Sequence, residues 1–271
     1  MIPGAFALAL LAFTPDGPSY PWLGRYDPSQ ALGVRVAPPQ GYQRAPAEPG
    51  SFGEWLRGLP LTPGRPPVLL FDGRPKGRQD VHHAVVDIDV GARDLQQCAD
   101  AVMRLRAEYL FSRGAGDAIA FDFTSGDRAP YVRWRDGQRP TVGARRVAWR
   151  AAAAPDASHA AFRQYLDVVF TYAGSRSLQR ELVPAPGPPA AGDVFIQGGS
   201  PGHAVIVVDV AQGPGGRVFL LAQSYMPAQQ VHVLRNPGQP QLDPWYPADF
   251  GERLVTPEWI FTKGDRRRWP P

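Results

Sequence analysis

The chain is poor in cysteine and in lysine: Cys98 stands alone, and Lys76 and Lys263 are the only lysines among 271 residues. One cysteine excludes an intramolecular disulfide and a cysteine-based metal cluster. The five histidines (His82, His83, His159, His203 and His232) fall at no HExxH-like spacing, so no metal and no cofactor is expected. Positive charge is carried almost wholly by arginine, and the formal net charge is only +4. Its densest clusters, Arg145-Arg146 and Arg266-Arg267-Arg268, form no basic stripe and belong to no recognisable nucleic-acid module. They read as solvated surface, and the arginine bias reads as a codon effect of a GC-rich bacterial genome. No nucleic-acid partner is expected.

Long apolar runs are also lacking. Ala5–Phe13 is apolar but nine residues long, too short to span a bilayer, so no transmembrane span is expected. It has the look of a signal-peptide core, yet no Lys or Arg precedes it and no A-x-A site follows. Residues 1–19 therefore read as a degraded or shortened export signal, with a buried N-terminal segment as the alternative. The first reading implies a cell-envelope, periplasmic or secreted protein, and the second a cytoplasmic one.

What is present describes a folded chain. Hydrophobic residues make up 44% and aromatics 11%, which excludes wholesale disorder, while 31 prolines and 29 glycines imply many turns. Residues 20–67 are rich in Pro and Gly and punctuated by Tyr20, Trp22, Tyr26, Tyr42, Phe52 and Trp55, the pattern of an extended arm laid on a core. Within the arm, Ser51 and Glu54 have capping-box spacing for a short helix. Residues 68–271 read as a single α+β domain. Val68–Phe71 and His83–Val90 are expected as strands, as are Ala118–Phe123, Tyr131–Arg135 and Arg146–Trp149. Asp94–Phe111 is the clearest helix, with Asp94 as N-cap and Leu95, Cys98, Val102, Leu105 and Tyr109 on its buried face. Gln96, Asp100, Arg104 and Arg106 fall off that stripe, and Arg104 can pair with Glu108 one turn on. Ser158–Tyr172 is a second helix, capped by Ser158. Two main helices among runs of strands imply a mostly antiparallel sheet.

The densest stretch is Gly192–Tyr225, which reads as three strands joined by glycine-rich turns. His203 opens the middle, β-branched strand, Ala204–Val210. If Val210 lies opposite Val218, His203 falls opposite Tyr225 and Gln223 pairs with Val205 on His203's face. A slip of one residue puts Ser224 there instead. His203 is then either part of a site or a strand-end histidine bonded to a carbonyl. Cys98 is either a nucleophile or a small buried hydrophobe, and a place one turn inside a helix capped by Asp94 favours the latter. Lys76 reads as exposed in a turn. Trp245-Tyr246, Trp259 and Trp269 read as core, or as the lining of a sugar groove.

Several segments together resemble one bacterial family, the DUF4846 family of uncharacterised, often lipoprotein-like proteins. They include Tyr20-Pro21-Trp22-Leu23, Phe52-Gly53-x-Trp55-Leu56-Arg57, Asp94–Ala101, Gly192-Asp193-Val194-Phe195-Ile196, Pro201–Val207, Ala222–Gln229 and Thr256-Pro257-Glu258-Trp259. A looser resemblance is to the NlpC/P60 group of papain-like cysteine peptidases and amidases. It rests on Gly-Asp-Val-Phe-Ile, a glycine-rich turn and a strand-opening histidine. The chain departs from that group in the residues after Cys98 and in the long interval from Cys98 to His203. The resemblance implies a papain-like core and a thiol hydrolase of amide bonds, acting on cell-wall peptides. Cys98 would be nucleophile, His203 general base and Gln223 its orienting group, with Gln97 as an oxyanion donor and Ser224 and Tyr225 lining the ligand site. The alternative is a non-catalytic envelope protein that binds a peptide, glycan or cell-wall fragment around His203. A serine nucleophile, Ser200 or Ser224, has no G-x-S-x-G elbow to support it.

Overall fold

The β-branched run after His203 builds the longest strand among the described residues, and the other main-sheet strands are laid out from it. A computed structural model describes residues 19–143 and 147–270. Ala5–Phe13 and Arg145-Arg146 lie outside the described residues. Nine strands form the main sheet: β1 (Gln43–Arg44), β2 (His82–Val85), β3 (Val183–Pro184), β4 (Val194–Gln197), β5 (His203–Gly213), β6 (Gly216–Gln223), β7 (His232–Leu234), β8 (Tyr246–Pro247) and β9 (Arg266–Arg268). Their order is β2-β7-β6-β5-β4-β9-β3, with β1 against the far end of β5 and β8 against β6, and every pairing is antiparallel. Among the described residues six α-helices accompany it: α1 (Leu32–Arg35), α2 (Phe52–Arg57), α3 (Cys98–Ser112), α4 (Tyr131–Arg135), α5 (His159–Tyr172) and α6 (Ser175–Glu181). The chain is thus α+β with a mostly antiparallel sheet. Among the described residues no helix is long and apolar enough to cross a membrane.

Residues 203–211 of β5 are buried without a break, which is why this strand reads as a continuous apolar run rather than an alternating one. Ala204, Ile206 and Val208 face a core shared with α2, α3 and α5. Val205 and Val207 face the opposite core, with Phe195, Phe219, Leu221 and Phe261. The β5–β6 hairpin starts one residue out of the expected register, with Val218 opposite Ala211. A bulge between Leu220 and Leu221 absorbs the extra residue, so that Ala222 pairs with Ile206. Continued by two residues in opposite directions, that register sets Ser224 across from Ala204 and Gln223 across from Val205. The bulge also marks the buried carboxylate of Asp209, which accepts from Arg44 Nε at 2.7 Å, Arg57 Nε at 2.9 Å and the Val210 N–H at 2.9 Å. These two arginines tie β1 and α2 to the centre of the sheet. Tyr20, Trp22, Tyr26, Phe52, Trp55 and Tyr109 form a chain of ring contacts that fastens the N-terminal arm to α3.

Ser51 caps α2 as expected, accepting from the Glu54 N–H at 3.2 Å, while Glu54 reaches back to the Gly50 N–H at 2.6 Å. Ser158 caps α5 in the same way, and Phe162, Tyr165, Leu166, Val169 and Phe170 are all buried beneath it.

Four expectations are corrected. First, the long helix begins at Cys98, not after Asp94: residues 93–97 are held in tight turns by Leu95 N–H to Arg93 O and Gln97 N–H to Leu95 O. Second, its buried face is wider than an apolar stripe, because Arg104 and Glu108 are fully buried and bond at 2.6 Å. Gln96, Asp89 and His159 complete that polar cluster. Third, Tyr131–Arg135 is helical, which puts Tyr131 and Trp134 on one inward face. Fourth, Val68–Phe71 forms only isolated bridges, Leu69 with Pro75 and Leu70 with Gln229.

Candidate active site

The late start of α3 makes Cys98 its first residue. Gln97 is the N-cap, and its backbone N–H donates to Asp100 Oδ2 at 3.0 Å, the reach-back half of a capping box. Asp94 accepts instead from Gln97 Nε2 at 3.0 Å and from the Ala228 N–H at 2.7 Å. Ser224 fastens the other side, its hydroxyl lying 2.9 Å from the Gln96 carbonyl and 2.8 Å from that of Gln229. The backbone N–H groups of Ala204 on β5, and of Ala99 and Cys98 at the helix terminus, act on the Cys98 thiol to favour its ionised form. Ala204 is the residue after His203. Among the described residues no hydrogen bond joins the thiol to the imidazole.

His203 and Gln223 project to the other side of the β5–β6 pair, and His203 Nε2 lies 2.8 Å from Gln223 Oε1. Tyr225, Trp259 and Phe261 surround the imidazole, with ring centroids 4.9, 5.3 and 5.9 Å away. Gln223 Nε2 donates to Glu258 Oε2 at 2.7 Å, and Glu258 Oε1 accepts from Lys76 Nζ at 2.7 Å. Lys76 also stands 4.9 Å over the Tyr225 ring. Gln223 Nε2 has a longer contact, 3.4 Å, with His232 Nε2. The turn carrying Glu258 is closed by Thr256 and the Trp259 backbone, and Trp259 Nε1 donates to Gln197 on β4.

Close packing of backbone brings the strand opening into place. A Cβ on Gly202 would lie 2.7 Å from Gly199 N and 2.8 Å from Gln197 O, and would also strike Ser175 Oγ at the start of α6. Only a glycine fits immediately before His203.

Burial governs the charge states. It pushes the Cys98 thiol up to about 11, and the Asp100 carboxylate adds to the rise; the N–H groups of Ala204, Ala99 and Cys98 oppose it. It pushes His203 down to about 4 against the opposing hydrogen bond from Gln223, with Lys76 nearby lowering it further. His232, also buried, is pushed down to about 3. At neutral pH the thiol and, on the opposite side of the β5–β6 pair, the imidazole are both neutral, unlike the thiolate–imidazolium pair of a strongly activated cysteine.

Of the residues expected at a site, the structure brings His203, Gln223 and Tyr225 together at the open end of the β5–β6 hairpin, whereas Cys98 lies with Ala204 in the core on the opposite face of the sheet. Cys98 is 7% exposed and His203 1%, and Tyr225, in ring contact with His203, is partly exposed. Gln97 lies next to the thiol, with its side-chain amide held by Asp94. Ser224 is fully buried and ties β6 to the start of α3. Lys76 is not the exposed turn residue expected, because Glu258 draws its ammonium inward to 8% exposure. Glu258, Lys76 and His232 were not expected at the site. The scarcity of lysine and the place of Glu258 in the Thr256-Pro257-Glu258-Trp259 segment are the features that could have drawn attention to these residues, but neither announces their contact. Trp245 and Tyr246 are core, whereas Trp259 packs on His203. Among the described residues no three His, Cys, Asp or Glu side chains converge as metal ligands.

An α+β protein with a buried cysteine at a helix start on one face of an antiparallel sheet, and a histidine–glutamine pair on the other, is the class defined by this fold and site. The chain belongs to the DUF4846 family, a domain of unknown function (4846), which matches residues 32–268. No curated protein and no solved structure matches the chain.

Proposed function

We propose that this protein is a thiol hydrolase of amide bonds, with Cys98 as nucleophile, His203 as general base and Gln223 as the group that orients the imidazole. The observation that supports the reading is the Cys98 thiol at the first residue of α3, packed in the same core as Ala204, the residue that follows His203 of the His203–Gln223 pair. The chain order Cys, His, Gln, the helix start and the strand opening are those of the NlpC/P60 resemblance. In the first step Cys98 Sγ attacks the carbonyl carbon as its proton passes to His203. The Cys98 N–H, which has no acceptor within the helix, lies where it can donate to the developing oxyanion. The C–N bond then breaks, the imidazolium proton goes to the leaving amine, and water hydrolyses the thioester by the same route. Stem peptides of the cell wall are the substrate class implied by the resemblance.

The test is hydrolysis of a stem-peptide panel followed by mass spectrometry. The reading expects cleavage that falls by at least about 100-fold in Cys98→Ala and in His203→Ala. Cleavage undiminished in Cys98→Ala overturns it, as does the absence of cleavage by native protein. A non-catalytic peptide- or glycan-binding role is favoured by one observation, the thiol pushed up to about 11. It expects binding of the same panel, without cleavage, that survives Cys98→Ala.

A further inference from the structure

The hydrogen bonds behind His203 run in one direction only. An ionised carboxylate accepts and cannot donate, so Glu258 Oε2, 2.7 Å from the Gln223 side chain, must face its NH₂ group. The Gln223 carbonyl oxygen then faces His203 Nε2 at 2.8 Å, and that nitrogen must carry the proton. His203 Nδ1 is left with its lone pair, the form a base requires. His232 agrees with this polarity. Its Nδ1, 2.8 Å from the Gln230 carbonyl, must donate, so its Nε2 can accept the second N–H of Gln223. Lys76, with three donors and no acceptor, keeps Glu258 in the accepting role from the other side, and the two side chains are 8% and 9% exposed.

We propose that Glu258, backed by Lys76, is a positioning residue that fixes the Nε2–H tautomer of His203 through the Gln223 amide. This inference rests on the reading of His203 as a general base, but its primary readout does not. Glu258 touches neither the imidazole nor the thiol and acts only through Gln223.

Glu258→Gln is the informative perturbation, because it keeps the shape and reverses the polarity. Its carbonyl oxygen must turn to the Lys76 ammonium, which presents its NH₂ to Gln223. Gln223 flips in response, offers its own NH₂ to His203, and the proton moves to Nδ1. Adding Lys76→Met removes the demand on the carbonyl and allows the original orientation to return.

The test is a long-range ¹H–¹⁵N spectrum of the histidine rings at pH 7, with His203 assigned by comparison with His203→Ala. The expected results are an Nε2–H tautomer in the wild type, an Nδ1–H tautomer in Glu258→Gln, and return of Nε2–H in the Lys76→Met/Glu258→Gln double variant. An Nδ1–H tautomer in the wild type overturns the inference even if every variant fails to fold. So does a folded Glu258→Gln that retains Nε2–H. Stem-peptide hydrolysis separates this inference from the function it rests on. A base in the wrong tautomer costs up to about 10⁴-fold in kcat, so Glu258→Gln should lose cleavage by at least about 100-fold and the double variant should recover it. Tautomers as expected with cleavage unchanged refute His203 as base and leave the relay standing.

Discussion

Alkylation of Cys98 by iodoacetamide reads the charge state of the site directly. The reagent consumes thiolate, and a free thiol titrates near 8.5, whereas burial and Asp100 push Cys98 to about 11. At pH 8 about a quarter of a free thiol is ionised, against about 0.1% of one titrating at 11, a ratio of roughly 240. The more basic thiolate is intrinsically more nucleophilic, which returns about tenfold through a Brønsted slope of 0.4–0.5. The net expectation is labelling about 20-fold slower than a free thiol at pH 8, rising about tenfold per pH unit and reaching the free-thiol rate in denaturant. Because His203 is neutral there, His203→Ala should leave the profile's apparent pKa in place. Asp100→Asn should lower it, since the carboxylate is the second cause of the rise. Mass spectrometry of quenched time points follows the reaction. Rapid labelling with an apparent pKa below 8.5 that disappears in His203→Ala would refute this reasoning. The resting state would then be an ion pair, with the helix-start N–H groups outweighing burial.

Other consequences are as specific. Hydrolysis depends on one proton shared by thiol and imidazole, so kcat/KM should be flat from pH 6 to 9, falling only as His203 protonates near 4 or Cys98 loses its proton near 11; a limb inside that window contradicts it. Asp100 titrates at about 8 in the fold against an ordinary 3.8, so the folded state holds its proton more tightly. Its contribution is most favourable below pH 3.8 and is lost as pH rises to 8, by at most about 1.4 kcal/mol per unit. Urea unfolding should show Asp100→Asn gaining on the wild type across that window, and parallel curves would refute it. Arg104→Met leaves the fully buried Glu108 with only His159 as a side-chain partner and should cost about 3–5 kcal/mol in the same assay; a loss below 1 kcal/mol means the cluster is not held by that pair. Gly202→Ala forces backbone atoms apart before His203 and should cost about 1–3 kcal/mol, with His203 ring shifts moved in the NMR spectrum; an unchanged spectrum and stability would show that the turn yields freely.

Local chemistry that depends on near neighbours was legible in the sequence. Ser51 and Ser158 cap their helices because each needs only an N–H three residues away. Hairpin periodicity put Gln223 opposite Val205 on His203's face, with Ser224 as the alternative after a slip; the assumed start of the hairpin was one residue off, and the bulge at Leu220/Leu221 cancelled the error. Tertiary bonds overrode local rules elsewhere. Asp94 has every property of an N-cap, but Ala228, 134 residues away, claims its carboxylate and the helix begins four residues later. That shift moved Cys98 from a helix interior to a helix start. Tyr131–Arg135 carries β-favouring Tyr, Val and Trp, and burial of Tyr131 and Trp134 on one helical face outweighs that preference. The Lys76–Glu258 pair spans 182 residues, and no local pattern announces such a contact.

The most direct test of the central claim is covalent capture of native protein at pH 7.5 by a peptidyl acyloxymethyl ketone, read by intact mass and peptide mapping. This reagent reacts when a cysteine attacks its carbonyl-bearing centre and displaces the carboxylate, so it requires a positioned nucleophile and not merely an ionised one. The account predicts a single adduct on Cys98 that is lost in His203→Ala and weakened in Gln223→Ala. Labelling only after denaturation, or equal labelling of native wild type and His203→Ala, would contradict it and leave Cys98 a buried core residue.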